Sequence, residues 1–91
     1  MKLMWTENAW ADFEFWCDSD LGTAEKIRDL IKETKRTPFK GKGKPEPLKG
    51  DLAGFWSRRI TGDHRFAYRV SGSGADQKLE VLTCRYHYTK K

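Results

Sequence analysis

Residues 55–70 read Phe55-Trp56-Ser57-Arg58-Arg59-Ile60-Thr61-Gly62-Asp63-His64-Arg65-Phe66-Ala67-Tyr68-Arg69-Val70, and their alternation decides the class of fold. From Phe55 onward the pattern has period two, the repeat of a strand whose successive side chains point to opposite faces. Phe55 to Ile60 reads as one strand, Thr61-Gly62-Asp63-His64 as a turn, and Arg65 to Val70 as the returning strand. Phe66, Tyr68 and Val70 share one face, while Arg65, Ala67 and Arg69 share the other. Such a hairpin needs cover on its apolar side only.

The cover is supplied upstream. Lys2 to Trp5 alternates as a short first strand, and Thr6 is placed to cap a helix with Glu7 in its positive first turn. Trp10, Phe13 and Cys17 recur at helical spacing, joined by Ala9 and Trp16 on a neighbouring stripe. Asp18-Ser19-Asp20 interrupts that pattern and offers a second N-cap. Ala24, Ile27, Leu30 and Ile31 make the next apolar stripe, with Asp29 and Glu33 expected to face outward among Lys26, Arg28 and Lys32. Thr37-Pro38 ends the helix, because proline pushes the preceding residue out of the α region. Downstream, Ser71 to Asp76 is a flexible hairpin loop, and Leu79 to Tyr88 is expected as one long last strand. The predicted order is β-α-α-β-β-β: an α+β fold, one domain over 1–91, with helices on one side of an antiparallel sheet.

The segment between helices and hairpin, Phe39 to Gly50, is too rich in Gly and Pro for a regular element. It sets Lys40, Lys42, Lys44 and Lys49 around a single acid, Glu46, whose two neighbours are both proline. The charge of the whole chain is lopsided in the same sense. Residues 1–34 hold four basic and eight acidic side chains, a balance of −4, whereas residues 35–91 hold fourteen and five, a balance of +9. A basic sheet face beside a lysine-rich loop suits a polyanion such as a nucleic-acid backbone. A solvated basic surface with no partner is the bland alternative.

Other classes of function are excluded or find no support. No apolar run resembles a signal peptide or a bilayer span, so a cytoplasmic location is expected. Cys17 and Cys84 lack metal-ligand spacing and are expected to be reduced, buried thiols. His64 and His87 form no paired ligand set, Gly41-Lys42-Gly43-Lys44-Pro45 lacks the context of a phosphate loop, and Gly-x-Ser-x-Gly is absent. No metal and no cofactor is implied.

RNA offers a reaction that needs neither, because its 2′-hydroxyl stands next to the phosphorus it can attack. That reaction calls for a base, cations for the developing phosphorane charge, and an acid for the leaving 5′-oxygen. Glu46 among lysines suits the base, Arg65 the phosphate clamp, and His87 the acid. Each residue also has a plainer reading. Glu46 can simply relieve lysine repulsion, Arg65 can pair with Asp63 or Glu80, Tyr88 can be a packing residue, and His64 suits a turn-stabilising role better than catalysis.

Three separated segments bear on that choice. Residues 37–49 (TPFKGKGKPEPLK), residues 54–60 (GFWSRRI) and the ending Cys84-Arg85-Tyr86-His87-Tyr88, together with Met1-Lys2-Leu3 and Trp5, closely resemble the YoeB (Txe) toxins of the RelE-type superfamily. The resemblance implies a RelE-like fold and a bacterial toxin that cleaves mRNA in the ribosomal A site. It implies a YefM-like antitoxin as partner, contact with the ribosome, and a homodimer as a possible form. It also implies Glu46 as general base, Arg65 as transition-state stabiliser, and His87 and Tyr88 as acid and substrate-positioning group, with Lys44, Lys49 and Arg59 as supporting RNA-binding residues. Two departures stand out: a glycine-rich loop from Ser71 to Gln77, and Thr89-Lys90-Lys91 beyond the tyrosine where similar toxins end. Two rivals remain, a non-catalytic RNA binder of the same fold and a gyrase-directed toxin of the ParE branch; the latter gives no reason for Glu46, His87 and Tyr88 together.

Overall fold

A computed structural model describes residues 1–86. Strand β1 (Lys2–Trp5) leads into helices α1 (Glu7–Ser19) and α2 (Leu21–Arg36), followed by strands β2 (Glu46–Pro47), β3 (Trp56–Thr61), β4 (His64–Ser71) and β5 (Lys78–Thr83). The five strands form one sheet in the order β1-β5-β4-β3-β2. β1 runs parallel to β5, and the remaining pairs are antiparallel. The α+β expectation holds, with β2 as an addition: a two-residue edge strand inside the segment expected to be irregular. Its brevity, and a proline that cannot donate to a ladder, hide it from any pattern.

Both helix caps form as the sequence suggests. Thr6 Oγ1 accepts from the Ala9 N–H at 3.0 Å, and Asp20 Oδ1 accepts from the Thr23 N–H at 3.2 Å. Hydrogen bonds at the cap pull the Asp20 carboxyl below its usual range. The core lies between the helices and one sheet face, where Ala24, Ile27, Leu30 and Ile31 meet Phe66, Tyr68, Leu79 and Val81. Burying these side chains is the main stabilising term, on the order of 1.5–3 kcal/mol for each large one.

Four expectations need correction. In α1 the buried positions are Ala9 and Trp16, while Trp10 is 46% exposed and meets Trp5 edge-on and Phe13 at a tilt. Cys17 is exposed rather than buried; Cys84 is buried, and both thiols are free. Burial pushes the Cys84 thiol up to about 12, which makes it inert. Glu33 does not face solvent. Its side chain is 10% exposed, and it accepts from Arg36, the Thr37 hydroxyl and the Lys42 N–H, bonds that draw its carboxyl below the usual range. Finally, β5 stops at Thr83 instead of running on to Tyr88. Cys84 gives its N–H to Asp12 (3.1 Å) and its carbonyl to Trp16 Nε1 (2.9 Å), so neither group can extend the ladder. His87 and Tyr88 lie outside the described residues.

Candidate active site

The strand registers line up four residues across the face of the sheet opposite Phe66 and Tyr68. Glu46 pairs with Ser57, Ser57 with Ala67, and Ala67 with Thr83. At about 4.8 Å per strand this row spans roughly 15 Å. Its two central members are small and buried, so they form a floor, and Glu46 stands exposed at one rim. One step along the strands Arg59 pairs with Arg65, which adds a parallel row of cations. The spacings put the Glu46 and Arg65 backbones about 12 Å apart. Long side chains on both can therefore meet over one phosphodiester.

Glu46 reaches the rim because of the segment before it, and that segment is built on a residue the sequence reading passed over. Arg58 is fully buried. Its guanidinium donates to the carbonyls of Lys42 (2.7 Å), Thr37 (2.6 Å) and Lys40 (3.1 Å), and its Nε to the Tyr68 hydroxyl (3.3 Å). Tyr68 in turn donates to the Pro38 carbonyl at 2.6 Å. Four loop carbonyls thus converge on one arginine–tyrosine pair. Gly43 completes the seal: its φ of +82° is open to glycine, and an added Cβ would lie 2.9 Å from the Arg58 Cβ. The signal was available in the alternation of β3, which puts Trp56, Arg58 and Ile60 on the same face as Phe66 and Tyr68.

The other nominated residues fall as follows. Arg65 is half-buried, and its guanidinium turns back to the carbonyls of Gly62 (2.8 Å) and His64 (3.1 Å). It does not take the expected plain role of pairing with Glu80, which belongs to Arg69 at 2.6 Å. Lys44 and Lys49 are exposed on either side of Glu46, Lys44 with a φ of +50°. Arg59 is exposed, and its N–H donates to the Gly43 carbonyl at 2.7 Å. The Arg65 N–H holds the carbonyl of Tyr86 at 3.1 Å, so the described chain ends beside the arginine row. Among the described residues no cluster of His, Cys, Asp and Glu is arranged to hold a metal ion, and no helix is long and apolar enough to cross a membrane.

A sheet backed by two helices, with a basic open face and a carboxylate on its edge strand, defines a small α+β domain suited to a polyanion. The comparisons narrow this to a family. Residues 5–88 match the model of the YoeB-like toxin of bacterial type II toxin-antitoxin systems. Toxin YoeB of Escherichia coli strain K12 is 54% identical over 88 residues, 97% of this chain and 100% of that protein. The solved YoeB/ParE toxin from Agrobacterium tumefaciens is 66% identical, covers 97% of this chain and 100% of its own, and superposes with a TM-score of 0.93. YoeB of Staphylococcus aureus, 34% identical over 97% of this chain and 98% of its own, has been solved as a dimer (TM-score 0.86) and in a heterotetrameric YoeB-YefM toxin-antitoxin complex (TM-score 0.85). The chain belongs to the YoeB-like toxins of bacterial type II toxin-antitoxin systems.

Proposed function

We propose that the chain is an endoribonuclease that cleaves mRNA in the ribosomal A site and so halts translation. Glu46 takes the proton of a 2′-hydroxyl, the freed oxygen attacks the adjacent phosphorus, and the bond to the 5′-oxygen breaks. The products are a 2′,3′-cyclic phosphate and a 5′-hydroxyl whose proton comes from His87. Arg65 turns from its own loop to the phosphorane oxygens, where a planar fork binds two of them at once. Tyr88 positions the substrate, and Lys44, Lys49 and Arg59 hold its backbone. The reaction needs no metal, because substrate supplies the nucleophile.

One observation carries this reading: an edge carboxylate and an arginine row flank a small-residue floor, and Arg65 holds the Tyr86 carbonyl at 3.1 Å. Cleavage of this kind calls for a base and an acid, the parts proposed for Glu46 and His87.

A YefM-like antitoxin is the natural partner, covering the basic face, and its binding should raise the melting temperature of the toxin. A second copy of the chain, the cytoplasm and the translating ribosome complete the setting. The test is end-mapping of mRNA on programmed ribosomes. Glu46→Gln and His87→Gln should each slow cleavage by about 10²–10⁴-fold, and a deoxyribose at the cleaved position should abolish it. Equal end patterns for wild type and both variants would leave a non-catalytic RNA binder.

A further inference from the structure

His64 opens β4 from the turn, where a solvated or turn-stabilising role was the plain expectation. Its ring is instead half-buried, with Trp16 edge-on at 4.8 Å and the Tyr86 ring at 5.3 Å. Nδ1 accepts a hydrogen bond from the Tyr86 N–H at 2.7 Å. An accepting Nδ1 carries no proton, so a neutral ring holds its proton on Nε2.

The next residue completes the grip, since the Arg65 N–H donates to the Tyr86 carbonyl at 3.1 Å. Two consecutive residues of β4 thus hold both backbone polar groups of Tyr86. That residue needs holding: its φ is +59°, a left-handed conformation that a bulky side chain keeps only where its surroundings impose it. Asp12 and Trp16 fasten Cys84 two residues earlier, through its N–H and its carbonyl. The backbone is therefore secured at Cys84 and again at Tyr86, and among the described residues the His64 imidazole is the one side chain that bonds the Tyr86 backbone.

We infer that His64 is a positioning residue: its Nδ1 fixes the backbone of Tyr86, the residue that immediately precedes His87 and Tyr88 in the sequence. It touches no reacting atom in this role. The inference rests on the proposed part of His87 and Tyr88 in cleavage, but its structural half stands apart from that reading.

Three substitutions in the full chain separate the possibilities. Asn carries an amide oxygen near the place of Nδ1, Gln carries one near the place of Nε2, and Phe keeps the ring without any acceptor. His64→Asn should keep the Tyr86 amide protected from hydrogen exchange, whereas His64→Gln and His64→Phe should expose it about tenfold or more relative to the Phe66 amide in the core. On programmed ribosomes His64→Gln and His64→Phe should lower kcat by up to about 10²-fold, the scale of a one-ångström misplacement, with KM within about twofold, and His64→Asn should recover most of it. Unchanged Tyr86 exchange in both His64→Gln and His64→Phe overturns the inference, as does lost protection with undiminished kcat. A wild-type chain that cleaves no mRNA removes the nuclease reading instead, and the exchange contrast still decides whether His64 holds Tyr86.

Discussion

Arg58 and Arg59 are neighbours in the chain and opposites in the structure. Arg58 is buried on the helix-covered face, where its hydrogen-bond partners among the described residues are oxygens of neutral groups: three loop carbonyls and a phenol. Arg59 points to the open face beside Arg65, exposed to solvent. The period-two geometry of one strand produces the contrast, and it divides the labour of the domain. One cation shapes the loop that presents Glu46, and the other is free to meet a phosphate. The same residue type is structural on one face and available for binding on the other.

The largest expected effect comes from removing the buried member. Each charge-assisted hydrogen bond contributes roughly 1.5–3 kcal/mol, and water can reach some of the abandoned carbonyls. Arg58→Met should therefore lower stability by about 3–5 kcal/mol, measured as a shifted urea midpoint. That is a large share of the roughly 5–15 kcal/mol that holds a domain together. A loss under about 1 kcal/mol would mean that desolvating the guanidinium cancels what its bonds contribute, and the contrast with Arg59 would reduce to geometry.

Arg59→Ala should do the reverse. Stability should move by no more than about 0.5 kcal/mol, as for most surface changes. Binding to single-stranded RNA should weaken, and the slope of log affinity against log salt should fall by about 0.7, one phosphate contact's worth. An unchanged slope would take Arg59 out of the RNA interface and leave Arg65 alone in its row.

How much of this could be read from the chain depended on the period of each signal. The hairpin from Trp56 to Val70 and the stripe Ala24, Ile27, Leu30 and Ile31 were legible because a long alternation or a full helical repeat names its buried face. Glu46 was legible as the lone acid among loop lysines, and Arg65 as a cation on the strand face away from Phe66 and Tyr68. Three features were hidden, each for its own physical reason. β2 is too short to show a period. β5 ends at Thr83 because Asp12 and Trp16, some seventy residues upstream, take the Cys84 backbone, and no local pattern records a long-range competitor. Arg58 was hidden by its own charge: the alternation of β3 puts it on the face of Trp56 and Ile60, but arginine is ordinarily an exposed residue.

A smaller effect concerns the acids. Hydrogen bonds from Arg69 and Ser71 hold Glu80 below its usual range, and Glu33 is lowered by Arg36 and its neighbours. A carboxyl lowered in the folded state adds stability above the unfolded value, about 4.3 for Glu. That contribution is lost as pH falls through the folded value. The toxin should accordingly lose stability below about pH 4. Glu80→Gln should remove about 0.5–1 kcal/mol at pH 7, after allowance for solvent around the exposed Arg69, and progressively less as pH falls below about 4.

Asp12 should behave in the opposite sense, and it tests the Arg58 comparison from the acidic side. Burial raises its carboxyl above the usual range, outweighing the Cys84 N–H and the positive charge of Arg85 that act to lower it. Below the unfolded value both states hold the proton and no penalty exists. As pH rises through the raised folded value the penalty grows to its full size, so at neutral pH the ionised Asp12 opposes folding. Its useful part is the oxygen that accepts from the Cys84 N–H at 3.1 Å, which an amide can supply without charge. Asp12→Asn should therefore be neutral or stabilise by up to about 0.5 kcal/mol at pH 7, with the difference vanishing near pH 3. Asp12→Ala should lose about 1–3 kcal/mol, because it leaves the Cys84 N–H without a partner. If Asn proves as harmful as Ala, the charge itself holds Cys84, and the half-buried Asp12 would join the buried Arg58 as an ion kept for its charge.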